Sequence, residues 1–288
     1  MTLWIWRNLR LEFPADWEML QFSRNFQEGR CAFADRYQFR LELSWRATAG
    51  RPDFARMISD YVARLKEQGA ANARRLRHGP WHGLQGDLDG QRTSRFGRHL
   101  PAESCLVELV FLWPERRDVG LEQKILSSVA VEPEHLGRFR RWSAFGMDFL
   151  TSKDLRLQAC TVEPASVEMT FGDAKRGAVE RFARRGMLSE WMNQTTAEWL
   201  RGWVDGGVRV TGVDATDARG HRVDRLEGEK RAPGVLRRSL RCDAAAWICP
   251  RDGRLYSTSL ASSAKEADTG PAPAGARLSC CSGLELPI

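Results

Sequence analysis

Four cysteines in the C-terminal half, Cys242, Cys249, Cys280 and Cys281, are the residues best suited to chemistry. Thiolates are soft ligands, and four of them can hold zinc tetrahedrally. Their spacing argues against it. The run from Cys242 to Cys249 reads as one strand, and an odd separation puts the two side chains on opposite faces unless a bulge intervenes. Neighbouring residues such as Cys280 and Cys281 also point apart in a strand. The expectation is buried or tail thiols, with no metal and no cofactor. A zinc- or thiol-dependent site at these four positions is the alternative.

Other candidates resolve in the same bland direction. His78 and His82 would share a helix face, but Gly79-Pro80 between them breaks a helix, so a turn and a strand start are expected. His99, His135 and His221 lie in polar connecting segments and read as surface residues. Trp191, Trp199 and Trp203, with Trp142 and Trp247, could line an aromatic cleft, yet helical spacing of the first three reads as a core face. Asp87 and Asp89 near Arg92 and Arg95 could shape a polar pocket, which a hairpin with an Asp89-Gly90 turn explains equally. The sequence contains no phosphate loop, nucleophile elbow, C-x-x-C pair, H-E-x-x-H or acidic calcium loop, so no catalytic residue is assigned.

The elements that must position these residues come as one unit used twice. The segment from Trp6 to Phe13 matches that from Trp142 to Phe149, keeping a Trp, apolar positions and an acidic residue in step. At the same offset, the apolar run Cys105 to Trp113 closes with Pro114, and Cys242 to Cys249 closes with Pro250. Two such anchors predict a duplication, with residues 1–135 as the first copy, 136–261 as a divergent second copy and 262–288 as an irregular C-terminal segment.

Within the first copy, Phe39 to Trp45 alternates apolar and polar residues as a half-covered strand does. Phe54, Met57, Ile58, Tyr61, Val62 and Leu65 form a helical stripe between Pro52 and Gly69. Leu106 to Trp113 is apolar on both faces, as a central strand should be. A short helix follows at 119–128. The second copy repeats the long helix as Leu188, Trp191, Met192, Thr195, Trp199, Leu200 and Trp203, ending at Gly206-Gly207. Its final helix is replaced by a Pro-, Gly- and Ala-rich stretch from Ser262, and Leu278 to Cys281 is expected as a last short strand equivalent to Ser128 to Val131.

Composition bounds the function class. With 42% apolar and 28% charged residues the chain is globular rather than disordered. A net charge of +7 invites a nucleic-acid reading, but the excess is mild in both halves. The Arg clusters at 74–77, 138–141 and 237–241 lack the aromatic and Gly interleaving of an RNA-binding motif and read as solvated faces. An odd number of cysteines in apolar runs, without framework spacing, favours reduced thiols in the cytoplasm. No stretch approaches the apolar length of a membrane span or secretory leader.

Leu11-Glu-Phe13-Pro14-Ala-Asp-Trp17, then Phe33-Ala-Asp35 and the amphipathic helix of 53–68, resemble the PsbP-like fold. That group includes photosystem extrinsic proteins, a Ran-binding import factor and many bacterial proteins. Taken with the duplication, which gives an α+β chain of two tandem related domains, the resemblance implies that each is a mainly antiparallel sheet flanked by helices as an α/β/α sandwich. It also implies a non-enzymatic binding role, without transferring any functional residue. The resulting expectation is a bacterial-type protein-binding or scaffolding module whose partner is another protein. The alternatives are the thiol or zinc site above and weak nucleic-acid binding through the Arg clusters.

Overall fold

The computed structural model describes all residues except 26, 89, 134–136, 174–176, 205–206, 219, 232–238, 264–275 and 282–288. The chain divides into two compact units, Met1–Glu132 and Pro133–Ile288.

In the N-terminal unit, β1 (Thr2–Trp6) and β2 (Leu9–Phe13) form a tight hairpin, joined on the β2 side by β10 (Ala130–Val131). The other strands are β3 (Glu18–Phe22), β4 (Glu28–Ala34), β5 (Phe39–Ala47), β6 (Ala71–His78), β7 (Trp81–Leu88), β8 (Gln91–Leu100) and β9 (Cys105–Trp113). They make one antiparallel sheet in the order β3-β4-β5-β9-β8-β7-β6. The β9 strand, apolar except for Glu108, is its central strand, as its two covered faces require. Helix α1 (Phe54–Glu67) is capped by the Asp53 carboxylate, which accepts from the Arg56 amide at 3.0 Å. Helix α2 (Val119–Ser128) is capped in the same way by Asp118.

The C-terminal unit repeats this order. β11 (Phe139–Ala144) and β12 (Met147–Ser152) form the hairpin, joined on the β12 side by β20 (Leu278–Ser279). The larger sheet comprises β13 (Arg156–Glu163), β14 (Ser166–Asp173), β15 (Ala178–Arg185), β16 (Val208–Ala218), β17 (His221–Arg231), β18 (Ser239–Ile248) and β19 (Leu255–Ser263). Its order is β13-β14-β15-β19-β18-β17-β16, the same path through the sheet. Between β15 and β16 lie α3 (Leu188–Trp191) and α4 (Thr196–Trp203).

The α/β/α sandwich expected from the resemblance is not what forms. Strands account for 58% of the structure and helices for 16%, in four short α-helices among the described residues. One reason lies in what covers the sheets. The small hairpin sheet packs aromatic residues against the large one: Trp4 meets Phe33 edge-on at 5.5 Å, and Phe149 stacks on Phe182 at 4.4 Å. A second reason is the break in the Trp-rich helix. Thr195 accepts from the Glu198 amide at 3.2 Å and Glu198 returns a carboxylate to the Thr195 amide at 2.8 Å, a capping box that starts a new helix inside the expected one.

Register also corrects how the copies align. In both hairpins the turn opens with a left-handed residue, Arg7 at φ 63° and Phe145 at φ 52°. Trp4 opposite Leu11 then corresponds to Trp142 opposite Phe149, two residues away from the match of Trp6 with Trp142. The strand equivalent to β9 is β19, and β18, which carries Cys242, corresponds to β8. Periodicity alone does not distinguish adjacent apolar strands of one sheet. Among the described residues no helix is long and apolar enough to cross a membrane.

Candidate metal centre

Three turns of the C-terminal unit bring four donor atoms together. The first joins β16 to β17. Ala218 faces His221 across it, and Gly220 adopts φ +72°, a left-handed conformation glycine takes without a Cβ clash. The turn sets His221 at the head of β17, where it is buried.

The second turn, Cys249-Pro-Arg-Asp-Gly-Arg254, joins β18 to β19. The Cys249 amide donates to the Arg254 carbonyl, and the Gly253 amide, at φ +65°, donates to the Cys249 carbonyl, both at 2.9 Å. The Asp252 carboxylate accepts from the Arg254 amide at 3.0 Å and from the Tyr256 hydroxyl at 2.7 Å. This closed loop turns the Arg251 and Asp252 amides onto the Cys249 sulfur.

The third is the bend after β20. The Leu150 amide donates to the Arg277 carbonyl at 2.9 Å, and Leu278 and Ser279 pair with Phe149 and Asp148. The Arg277 guanidinium is buried against Glu180 at 2.6 Å and lies over the Phe139 ring at 4.6 Å. Glu180 also accepts from the Ser152 amide at 3.0 Å and its hydroxyl at 2.6 Å. A buried, hydrogen-bonded ion pair therefore anchors the chain just before Cys280 and Cys281.

Donor atoms of His221, Cys249, Cys280 and Cys281 all lie within 4.8 Å of one another. His221 Nε2 is 3.2 Å from Cys280 Sγ and 3.5 Å from Cys281 Sγ. A tetrahedral zinc shell places sulfurs about 3.8 Å apart and sulfur about 3.5 Å from nitrogen, from the usual Zn–S and Zn–N lengths. The two nitrogen–sulfur distances lie close to the latter value, and the 4.8 Å limit on the whole set admits the sulfur spacing. Among the described residues this is the one group of His, Cys, Asp or Glu disposed to hold a metal.

The electrostatics point the same way. Burial pushes the Cys249 thiol up, but hydrogen bonds from His221, the Arg251 and Asp252 amides and Cys280 outweigh it and hold Cys249 below the ordinary thiol range. Burial raises Cys280 to about 12, with the Cys249 and Cys281 sulfurs adding to the rise and the Trp247 indole, donating at 3.3 Å, opposing it. Cys249 is thus held toward the thiolate and Cys280 toward the thiol, and a dication between them would favour the thiolate at both.

Two expectations change. Cys242 stands apart: it is buried in the core cluster with Trp199, Leu200, Leu226, Ala244 and Ala246, its sulfur 3.8 Å from Ser259 Oγ, and burial raises its thiol. The odd spacing along β18 keeps Cys242 apart from Cys249, as alternation requires. His221, read as a surface residue, is instead the fourth donor. The objection to adjacent cysteines does not apply, because β20 ends at Ser279 and both side chains leave a bend. The missed signal was a glycine turn before His221 together with the Cys-Pro-x-x-Gly turn at Cys249.

The remaining candidates scatter. His78 Nε2 is 3.1 Å from Ser127 Oγ, whereas His82 stacks on Phe54 at 4.6 Å. His99 is half-buried on β8, and His135 lies outside the described residues. Arg92 pairs with Asp87, while Arg95 turns to the Tyr61 hydroxyl at 2.6 Å; Asp89 lies outside the described residues. Trp199 belongs to the core with Trp203 packed on it, and Trp191 is exposed. The Arg clusters are engaged locally, Arg74 with Gln85, Arg75 with Ser59, Arg141 with Asp148 and Arg241 with Glu227. Arg237, Arg238, Gly206 and the Pro- and Ala-rich residues 264–275 lie outside the described residues. No protein-family model matches the sequence, and no curated protein matches it significantly.

Proposed function

We propose that the C-terminal unit binds one zinc ion through His221, Cys249, Cys280 and Cys281, and that the ion is structural. The observation that carries this is the convergence of four donor atoms, from three turns far apart in sequence, within 4.8 Å. Three thiolates and an imidazole form a closed tetrahedral set, which leaves no coordination position for a substrate or an activated water. The ion ties the C-terminal segment to the turns before β17 and after β18. Such a staple accords with a binding or scaffolding role toward another protein rather than with catalysis. It also accords with a reducing compartment, the cytoplasm, since all seven cysteines are free thiols.

The test is elemental analysis of reduced, untagged, full-length protein, with one zinc per chain expected. Cobalt in its place should show the charge-transfer bands of a thiolate-bound tetrahedral ion. Zinc content unchanged in both His221→Ala and Cys281→Ser would sink the reading.

A further inference from the structure

We propose that the centre is a reversible peroxide-sensitive clasp: a hydroperoxide oxidises Cys280, Cys249 closes a disulfide with it, and the ion is released. This inference rests on the zinc reading and adds the regulation of that site.

The first argument is the unequal exposure of the sulfurs. Cys280 and Cys281 are only partly buried, while Cys249 is 0% exposed. A small oxidant meets the vicinal pair first, and metal-bound thiolates are already the nucleophilic form. The second is geometry. Neighbouring residues have Cα atoms about 3.8 Å apart, short of the roughly 4.4–6.8 Å that an ordinary disulfide spans, so Cys280 and Cys281 are poorly disposed to pair with each other. Cys249 comes from a different turn and shares a hydrogen bond with Cys280. It is the resolving thiol.

The chemistry balances as two steps. The Cys280 thiolate attacks hydrogen peroxide, an S–O bond forms, the O–O bond breaks, and the hydroxide that leaves takes a proton from solvent to become water, as does the hydroxide of the next step. The Cys249 thiolate then attacks the Cys280 sulfur of the sulfenic acid, an S–S bond forms, the S–O bond breaks, and a second hydroxide leaves as water. Two thiolates are oxidised by two electrons and one peroxide is reduced to two waters. His221 and Cys281 remain, too few to retain zinc in a tetrahedral shell.

The third argument is the anchor. The Glu180–Arg277 pair and the two-residue strand β20 hold the segment by contacts that do not involve the ion. Zinc loss therefore leaves Cys280 in reach of Cys249, so the oxidised state is intramolecular and a thiol reductant with zinc restores the centre.

The experiment begins with zinc-loaded, full-length protein whose metal content has been established. Hydrogen peroxide is added, zinc release is followed with a colorimetric chelator, remaining thiols are counted, and non-reducing peptide mass spectrometry locates the linkage. The expected result is one zinc released for every two thiols lost, with Cys249 joined to Cys280 and full recovery on adding dithiothreitol and zinc. Cys160→Ser should release zinc at an unchanged rate. Retention of zinc at peroxide levels that consume free glutathione, release with sulfinic acid and no disulfide, or a linkage that omits Cys249 would each overturn the clasp while leaving the zinc reading intact. Failure of the reduced protein to take up zinc at the outset would instead remove the zinc reading and the clasp with it.

Discussion

Trp81 and His221 occupy the same place in the two units: each opens the second strand of an edge hairpin, opposite His78 and Ala218 respectively, and each is buried. Both also reach the chain end of their unit. The Trp81 indole donates to the Leu126 carbonyl in the last turn of α2 at 3.0 Å. The His221 imidazole meets Cys280 and Cys281 just after β20. Register extends the correspondence: Ala130 opposite Arg10 matches Ser279 opposite Asp148, so Val131 and Glu132 stand where Cys280 and Cys281 stand. The N-terminal unit closes by apolar packing, with Ile125, Leu126 and Val129 buried. The C-terminal unit closes with donors. The same fold position is closed by apolar burial in one unit and lined by four converging donor atoms, the set proposed to hold zinc, in the other.

The largest expected effect follows from removing the ion. Structural zinc contributes on the order of 10 kcal/mol in small domains, so a strong chelator should lower the unfolding temperature of the C-terminal unit and spare that of the other. His221→Ala should weaken zinc binding by more than about 100-fold, beyond what loss of an outer hydrogen bond to a ligand costs. Differential scanning calorimetry with and without chelator reads both; two transitions that shift together would erase the contrast between the units.

Next in size is Glu180→Gln, which leaves the Arg277 guanidinium buried without its countercharge, at a cost of about 3–5 kcal/mol. Because the pair anchors the segment bearing Cys280 and Cys281, zinc affinity in a competition titration should fall as well. Stability lost with affinity intact would show that the anchor and the centre are independent. The counterpart in the other unit, Trp81→Ala, should cost about 3–5 kcal/mol as a fully buried aromatic truncation, without any change in zinc content.

Acid should separate the units further. Burial pushes Glu168 up, but Arg181 and then the Trp203 indole and Arg185 outweigh it, so its folded value is depressed. A depressed carboxyl contributes stability that is present above its unfolded pKa, about 4.3, and is lost as pH falls through the lower folded value. Below about pH 4 the C-terminal transition should therefore drop with a slope that Glu168→Gln flattens. Zinc leaves at higher pH than this, as protons compete for the thiolates, so the comparison is made on chelated protein. An unaltered slope in the variant would remove Glu168 from the account.

How much of this was legible in the sequence depends on the range of the interaction. Alternation marked β5 and the two-faced apolar run marked β9 as the central strand, because each pattern is set by burial along a single segment. The repeated order of elements was visible, yet its register was not, since Trp4 and Trp6 are both apolar and only the left-handed turns at Arg7 and Phe145 fix which one pairs with Leu11 or Leu9. The break at Thr195 was readable as Thr-x-x-Glu but was overridden by the Trp stripe on either side. Three of the four donors were named as cysteines. His221 was invisible because its nearness to Cys280 is created by sheet closure across 59 residues, which no local pattern encodes.

The smallest effect tests whether apolar closure really replaces the ion. Helix α2 is the feature that the N-terminal unit uses to bring Leu126 to Trp81, and its first turn depends on the Asp118 carboxylate accepting from the Leu121 amide at 2.9 Å. Asp118→Ala removes that cap and should cost about 1 kcal/mol. If α2 is the counterpart of the metal centre, the loss appears as faster hydrogen exchange through residues 119–131 and as a lower N-terminal transition, with the chelator-sensitive transition unmoved. Exchange confined to the first turn, with β10 still protected, would mean that β10 is held by its pairing with β2 alone, and the parallel between the two chain ends would then rest on Trp81 and His221 rather than on the helix.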